Sequence, residues 1–304
     1  MTSMPVFGPY DQAGLDAQYN LRARHPDHLE YFERWARESA AVRASLPCHV
    51  DLAYGDRPKE TLDLFPADQP GAPILAFLHG GYWQALDKGD FSFLAPAYVE
   101  RGVTFASVNY DLAPDVSIEF IVEQCRRSLL WLWHNAYELG GDRDRIFVAG
   151  HSAGGHLATM ALITDWAAKG ALPIDLVKGA CSVSGIYDLE PVSLSYQNPI
   201  LKLDRVATVR LSPIRNVPPA AGPLLLAVGA EETDEFLRQQ KDFSAAWDSR
   251  GLVCEAVLLP GRHHFSAIEA MGEPRSPLME RVARMAISGT VRNPPWLAGA
   301  PPLA

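Results

Sequence analysis

The stretch RIFVAGHSAGG, from Arg145 to Gly155, joins an apolar run to a glycine-flanked serine, Ser152. Residues 145–149 are typical of a buried strand, and the apolar residues between 157 and 162 predict a helix. A serine raised on a sharp strand-to-helix turn is the hallmark of the G-x-S-x-G nucleophile pattern. Taken alone, the G-x-S-x-G pattern fits an ordinary tight turn without a catalytic role equally well. The rest of the sequence therefore has to decide between the two interpretations.

A second apolar run carries the supporting motif. Residues 73–78 predict a buried strand that ends in HGGYW at residues 79–83. A strand followed by such a loop is expected to supply half of an oxyanion hole. We therefore expect the backbone N–H groups of Gly81, Tyr82 and Ala153 to surround the charge of a tetrahedral intermediate.

Strands and helices alternate along the chain, which predicts one α/β domain over residues 1–304 with a mostly parallel, eight-stranded sheet flanked by helices. The predicted strands are 48–54 and 60–65, which form an antiparallel pair, then 73–78, 103–108, 145–149, 178–184, 223–229 and 253–259. The predicted helices are 26–45, 90–100, 117–139, 153–167, 234–250 and 276–288.

Three further segments have a predicted character of their own. Residues 20–46 are expected to form an N-terminal helical segment that follows a loose start. The insertion at 186–222 lacks a clear period and is a candidate substrate cap with short helices. The Pro-rich tail at 291–304 is expected to be extended or disordered.

Composition excludes several classes of function. The formal charge of −9 argues against a nucleic-acid partner, because phosphates would be repelled. No run approaches the roughly 18 apolar residues that span a bilayer, and the N-terminus lacks the pattern of a secretion signal, so we expect a cytoplasmic protein without a membrane partner. The four cysteines are far apart, and no His, Asp or Cys spacing suits a metal, so neither a disulfide, a metal nor a cofactor is expected.

A nucleophilic serine needs a base, and the pair His263-His264 follows the predicted strand at 253–259. Only one of two adjacent side chains can reach the serine, and His264, next to Phe265, is favoured over His263. The other histidines are interpreted as surface or packing residues.

The acid that orients the base should follow the predicted strand at 223–229. Four acids compete there: Glu231, Glu232, Asp234 and Glu235. Acids are also favoured at a helix start by the helix dipole, so most of them need no catalytic role. Glu232 is favoured because it leaves the strand before the helix cap, and Asp234 remains an alternative. The chain order of serine, acid and histidine is that of α/β-hydrolases.

With these residues assembled, the chain resembles the arylformamidase (kynurenine formamidase) branch of the α/β-hydrolases, near the hormone-sensitive-lipase-like esterases. HGGYW at 79–83 is the most specific mark, supported by GHSAGGHLA at 150–158 and SGIYDLEP at 184–191. The resemblance implies the α/β-hydrolase fold, with Ser152 as nucleophile and His264 as base. Animal members have aspartate where this chain has Glu232, which is why Asp234 stays open.

The implied reaction is hydrolysis of an aryl formamide such as N-formylkynurenine to formate and an arylamine through a formyl-enzyme. The competing hypothesis is a carboxylesterase for small aromatic or short-chain esters, and a remote one is a non-catalytic ligand receptor. An aromatic wall for the leaving group is predicted from Trp83, Tyr82, Tyr187 and Tyr196, but no cationic partner for a substrate carboxylate is apparent. The expected partner is a small aromatic amide or ester, and a homodimer is one option for the assembly.

Overall fold

The computed structural model describes residues 4–291, and the predicted Pro-rich tail lies outside this range apart from Val291. One sheet of eight strands forms the centre, which confirms the predicted fold class. The strands are β1 His49–Ala53, β2 Thr61–Phe65, β3 Ala72–Leu78, β4 Thr104–Val108, β5 Gly141–His151, β6 Val177–Val183, β7 Leu224–Gly229 and β8 Cys254–Leu259.

The strand order is β1-β2-β4-β3-β5-β6-β7-β8. The pairs β1–β2 and β2–β4 are antiparallel, and all other neighbours are parallel. Every residue of β3 is buried, as expected for a parallel strand covered by helices on both faces. The carboxyl ends of β3, β5, β7 and β8 therefore meet at one edge, where the predicted site residues follow them.

Helices cover both faces of the sheet, and helices also lie near both ends of the described range. They are α1 Gln12–Tyr19, α2 Leu21–Arg24, α3 His28–Ser45, α4 Ala95–Val99, α5 Ile118–Asn135, α6 Ala153–Leu162, α7 Glu190–Ser193, α8 Asn198–Leu201, α9 Arg205–Arg210, α10 Asp234–Asp248, α11 His264–Ala267 and α12 Pro277–Ser288. Within residues 4–291, none of these helices combines the length and apolar composition that a bilayer crossing requires.

The helix predicted at 90–100 is wrong in extent. Two 3-10 turns, Lys88–Asp90 and Ser92–Leu94, precede a helix of only Ala95–Val99. A capping box at Asp87 stabilises the first turn, so the chain is held in short pieces before α4 begins. Pro96 then lies in the first turn of α4, where its missing N–H costs nothing.

The predicted loose start contains the helix α1, and the short helix α2 lies within the segment predicted to be helical. Asp11 caps α1 by accepting a hydrogen bond from the Gly14 amide. The end of α1 is held by tertiary contacts, since Thr233 Oγ1 donates to the Gln18 carbonyl at 2.9 Å and Gln239 Nε2 donates to Tyr19 Oη at 2.9 Å. Helices of this length need such packing, which a local pattern does not reveal.

The insertion at 186–222 contains the short helices α7, α8 and α9, as its sequence predicted. It is tied to the N-terminal segment, because Gln12 Nε2 donates to the Leu194 carbonyl and the Tyr196 amide donates to Asp16 Oδ1. The two segments therefore lie together at the carboxyl edge of the sheet.

Candidate active site

Ser152 stands at the sharp turn between β5 and α6. Its backbone has φ 56° and ψ −121°, a strained conformation for a residue with a side chain. A Cβ at Gly150 would lie 2.1 Å from the Gly154 carbonyl oxygen, and one at Gly154 would lie 1.9 Å from that of Leu78. Only glycine fits at either position, so the flanking glycines are a packing requirement of the turn.

The loop after β3 passes directly against this turn. A Cβ at Gly80 would lie 3.2 Å from the Ser152 Cβ. Gly81 has φ +103°, and a Cβ there would lie 2.2 Å from the Ala85 carbonyl oxygen. No backbone acceptor within residues 4–291 takes the N–H of Gly81, Tyr82 or Ala153. These three amides are available to a developing oxyanion.

His79, the first residue of this loop, is held by contacts with two neighbouring residues. Its ring stacks on that of Tyr110 at 4.1 Å, and its Nε2 lies 3.2 Å from Asn109 Oδ1. The Tyr110 hydroxyl in turn donates to the His79 carbonyl at 2.5 Å. Burial lowers the pKa of His79 to about 4, so the ring is neutral at physiological pH. The histidine of HGGYW is thus a structural residue.

His264 and Glu232 form a buried pair. His264 Nδ1 lies 3.1 Å from Glu232 Oε1 and 3.0 Å from Oε2. The side chains are 4% and 0% exposed. Because a carboxylate only accepts, Nδ1 carries the proton and Nε2 is left as a base. Asp234, the alternative acid, lies exposed at the start of α10.

The competing residues have other partners. His263 stacks on His25 at 4.1 Å, and its Nε2 lies 3.0 Å from the Tyr31 hydroxyl. Glu235 accepts a hydrogen bond from Tyr19 and pairs with Arg238. These contacts anchor the N-terminal segment to the loops around the site.

Ser152 and His264 line one small cavity. Their side chains form no hydrogen bond with each other in the part of the chain that the structure describes. Such contacts often tighten only when substrate is bound. The cavity is lined by Leu21, Arg22, Phe32, Trp35, Gly81, Tyr82, Leu86, His151, Ser152, His264 and Phe265.

The predicted aromatic wall is distributed differently. Tyr82 lines the cavity, and Tyr196 lines a neighbouring one. Tyr187 is fully buried, stacked on Phe243 at 4.5 Å with its hydroxyl 2.8 Å from Ser182 Oγ. Trp83 is also fully buried and packs edge-on against His156. Since both residues fill the core, neither forms a wall of the cavity.

Sequence reasoning assigned no role at the site to His151, and it left open whether the N-terminal helix closes over the pocket. His151 Nε2 lies 3.0 Å from the His264 carbonyl oxygen, and burial keeps the pKa of His151 well below its usual value. A neutral ring therefore donates to the backbone of His264. The sequence signal that could have identified His151 was its position next to Ser152 in the motif. No sequence signal identified the N-terminal residues of the cavity, because their segment is distant in sequence from Ser152. These residues are Leu21, Arg22, Phe32 and Trp35.

The structure offers no obvious place for a metal. Across residues 4–291, no group of three or more His, Cys, Asp or Glu side chains has the arrangement of a metal site. None of the four cysteines in this range forms a disulfide bond.

Comparison with known proteins gives consistent matches. A family model described as BD-FAE matches residues 62–194. Kynurenine formamidase of Danio rerio is 34% identical over 265 residues, which cover 85% of this chain and 87% of the relative. Kynurenine formamidase of Salmo salar is 35% identical over 230 residues, covering 73% and 76%.

Solved structures share the architecture. A protein of Silicibacter sp. superposes with a TM-score of 0.76 at 29% identity, covering 88% of this chain and 97% of the other. The thermostable carboxylesterase EstE1, cloned from a metagenomic library, has a TM-score of 0.65 at 21% identity, covering 85% and 95%. The second likeness concerns the fold alone.

Proposed function

The chain belongs to the kynurenine formamidase family of α/β-hydrolases, and we propose that it cleaves an aryl formamide such as N-formylkynurenine to formate and an arylamine. Membership of this family confirms the prediction of a hydrolase. The observation that carries the proposal is the common cavity of Ser152 and His264, with His264 held by Glu232 beside three unbonded amides.

The first half of the reaction forms a formyl-enzyme. Ser152 Oγ attacks the formyl carbon while His264 Nε2 takes the hydroxyl proton. The carbonyl oxygen becomes an oxyanion that accepts from the N–H groups of Gly81, Tyr82 and Ala153. Glu232 stabilises the imidazolium. Collapse of the intermediate breaks the C–N bond, and His264 gives its proton to the departing arylamine.

The second half releases formate. Water attacks the formyl carbon, and His264 Nε2 takes a proton from that water. The same amides hold the second oxyanion, which collapses with return of a proton to Ser152 Oγ. No cofactor is required, because the acyl group moves only between serine and water.

A carboxylesterase for small aromatic or short-chain esters is the second candidate function. An ester presents the same electrophilic carbon with a better leaving group, so the same machinery would hydrolyse it. A fold shared with a solved carboxylesterase fits this candidate. Ester turnover alone therefore cannot distinguish the two functions.

The deciding experiment compares formate release from N-formylkynurenine with hydrolysis of p-nitrophenyl acetate by the same preparation. Efficient formate release that disappears in Ser152→Ala supports the formamidase. Rapid ester turnover without formate release would replace the formamidase proposal with the carboxylesterase. A cytoplasmic location and a homodimeric assembly stay predictions.

A further inference from the structure

The N-terminal segment places a cation at the mouth of the site. Leu21 and Arg22, from the short helix α2, line the cavity that contains Ser152 and His264. The same two residues also line a second, larger cavity of about 340 Å³. Leu21 is buried, whereas Arg22 is exposed to solvent. Arg22 therefore lies between the reacting serine and the adjoining space.

The second cavity adjoins the first and is more polar. The two share four lining residues, namely Leu21, Arg22, Gly81 and Tyr82. In the second cavity, Gln84 Nε2 donates to Gln197 Oε1 at 2.9 Å, and Gln197 Nε2 donates to the Tyr196 hydroxyl at 2.9 Å. Together they suit a substrate with an apolar reacting end and a polar far end.

The Arg22 guanidinium has no ion-pair partner among the residues that the structure describes. Its carbon atom Cζ lies 5.8 Å from the centre of the Phe32 ring. Asp16 is the acid that shares the neighbourhood of Tyr196, and its Oδ1 accepts from Gln12 Nε2 at 2.9 Å and from the Tyr196 amide at 2.8 Å. The carboxylate of Asp16 is thus engaged elsewhere, without an ion pair to Arg22.

Arg22 is also unusual in its setting. The protein carries a formal charge of −9, so anionic small molecules meet a repulsive field over much of its surface. The carboxylate of the site, Glu232, is buried behind His264. A guanidinium at the mouth supplies the local attraction that a substrate carboxylate needs, and its planar donors match a carboxylate in pairs.

We propose that Arg22 binds a carboxylate on the leaving-group side of the substrate and makes the enzyme selective for aryl substrates that carry such a carboxylate. The inference deepens the proposed function, because the arylamine half of N-formylkynurenine carries an amino-acid carboxylate remote from the formyl group. Tyr196 and Gln197 complete the polar end of the site. The reacting bond and the charged group are then held in the two adjoining cavities.

The test uses two pairs of substrates, and in each pair one member carries a carboxylate and the other does not. One pair is N-formylkynurenine and formanilide, and the other is 3-acetoxybenzoate and its methyl ester, which share one reacting bond. Arg22→Gln should lower kcat/KM for the carboxylate substrates by roughly 10- to 100-fold, mainly through KM, because a hydrogen-bonded charge is lost. The effect on the neutral partners should be much smaller, and Arg22→Lys should retain part of the preference.

Arg24→Gln is the matched control, because Arg24 belongs to the same helix and lines neither cavity. It should leave all four rates unchanged. Equal losses for charged and neutral substrates in Arg22→Gln would overturn the proposal and indicate a structural role. A wild-type enzyme that prefers the methyl ester over 3-acetoxybenzoate would also overturn it.

The outcome separates this inference from the formamidase proposal. If the wild-type enzyme releases no formate but hydrolyses 3-acetoxybenzoate in an Arg22-dependent manner, the formamidase proposal fails and the carboxylate site stands. If N-formylkynurenine is cleaved equally well by wild type and Arg22→Gln, the carboxylate site fails and the formamidase proposal stands.

Discussion

The hydroxyl of Tyr82 donates a 2.8 Å hydrogen bond to the main-chain carbonyl of Tyr19. Tyr82 also belongs to the loop that carries two of the proposed oxyanion amides. One residue thus connects the N-terminal segment to the catalytic loop, and the mouth of the site depends on both.

Tyr82→Phe tests this connection, since it keeps the amide and removes only the hydroxyl. Loss of a hydrogen bond of about 1 kcal/mol should raise KM by about fivefold with a smaller change in kcat. Limited proteolysis should cut residues 4–24 faster. Tyr137→Phe is the control, because Tyr137 is 92% exposed, and it should change neither readout. Unaltered KM and cleavage in Tyr82→Phe would mean that the contact does not shape the site.

Ser152→Ala should lower kcat by about a million-fold, because the members of such a triad act as a unit. Ser184→Ala is a matched control. Ser184 has φ 50° against 56° for Ser152, is similarly buried, and its hydroxyl has no partner within residues 4–291. The control should keep full activity. Retained hydrolysis in Ser152→Ala would remove the nucleophile from the proposal.

Glu232→Gln and Asp234→Asn decide which acid orients the base. Of these two acids, Glu232 is the one that reaches His264 Nδ1, so Glu232→Gln should lower kcat by about 10⁴-fold by disturbing the tautomer of His264. Asp234→Asn should remain close to wild type, since Asp234 is exposed. Steady-state kinetics on one activated ester measures both variants. The reverse ranking would assign the acid to Asp234.

Gly81→Ala tests the close approach of the oxyanion loop. The added methyl would lie 2.2 Å from the Ala85 carbonyl oxygen, so the loop must move. Displacing an oxyanion donor should lower kcat by about 10²–10³-fold. Gly71→Ala is a matched control at φ +73° with no atom within 4 Å of the new methyl group. It should cost about 1 kcal/mol of stability and leave kcat unchanged. Similar kcat values for the two variants would contradict the assignment.

The stability of the protein should fall in acid because of buried neutral histidines. Burial lowers the pKa of His156 to about 4 from its ordinary value of 6.5, and its Nε2 donates to the Leu211 carbonyl at 2.7 Å. Below about pH 6.5 the unfolded chain binds a proton that the folded chain refuses, so the free energy of unfolding decreases down to about pH 4. Above about pH 6.5 the ring is neutral in both the folded and the unfolded state, so it no longer makes the free energy of unfolding depend on pH.

Urea unfolding midpoints at about pH 7 and about pH 5 measure this linkage. His156→Gln preserves a donor for Leu211 and should lose less stability than wild type between the two values. His49→Gln, at an exposed position, should follow the wild type. Equal losses in all three proteins would exclude His156 as a source of the acid sensitivity.

Local patterns were sufficient for the sheet and for the two motif loops. The turn at Ser152 and the loop at Gly81 follow apolar strands directly, and their glycines meet steric demands that act over a few residues. Central strands such as β3 and β7 could be predicted because runs of apolar residues are needed wherever helices cover both faces of a sheet. The exact ends of the helices were less predictable. The helix predicted at 90–100, for example, is interrupted around Ser92.

Contacts between distant segments could not be inferred in this way. The sequence offered four acids after β7, and only the packing of β7 beside β8 brings Glu232, rather than Asp234, to His264. The position of Arg22 could not be inferred either. Arg22 lines the cavity of Ser152 because α1 and α2 pack on loops far along the chain. Periodicity reports which face of an element is buried, whereas the identity of its neighbour depends on how all the elements pack together.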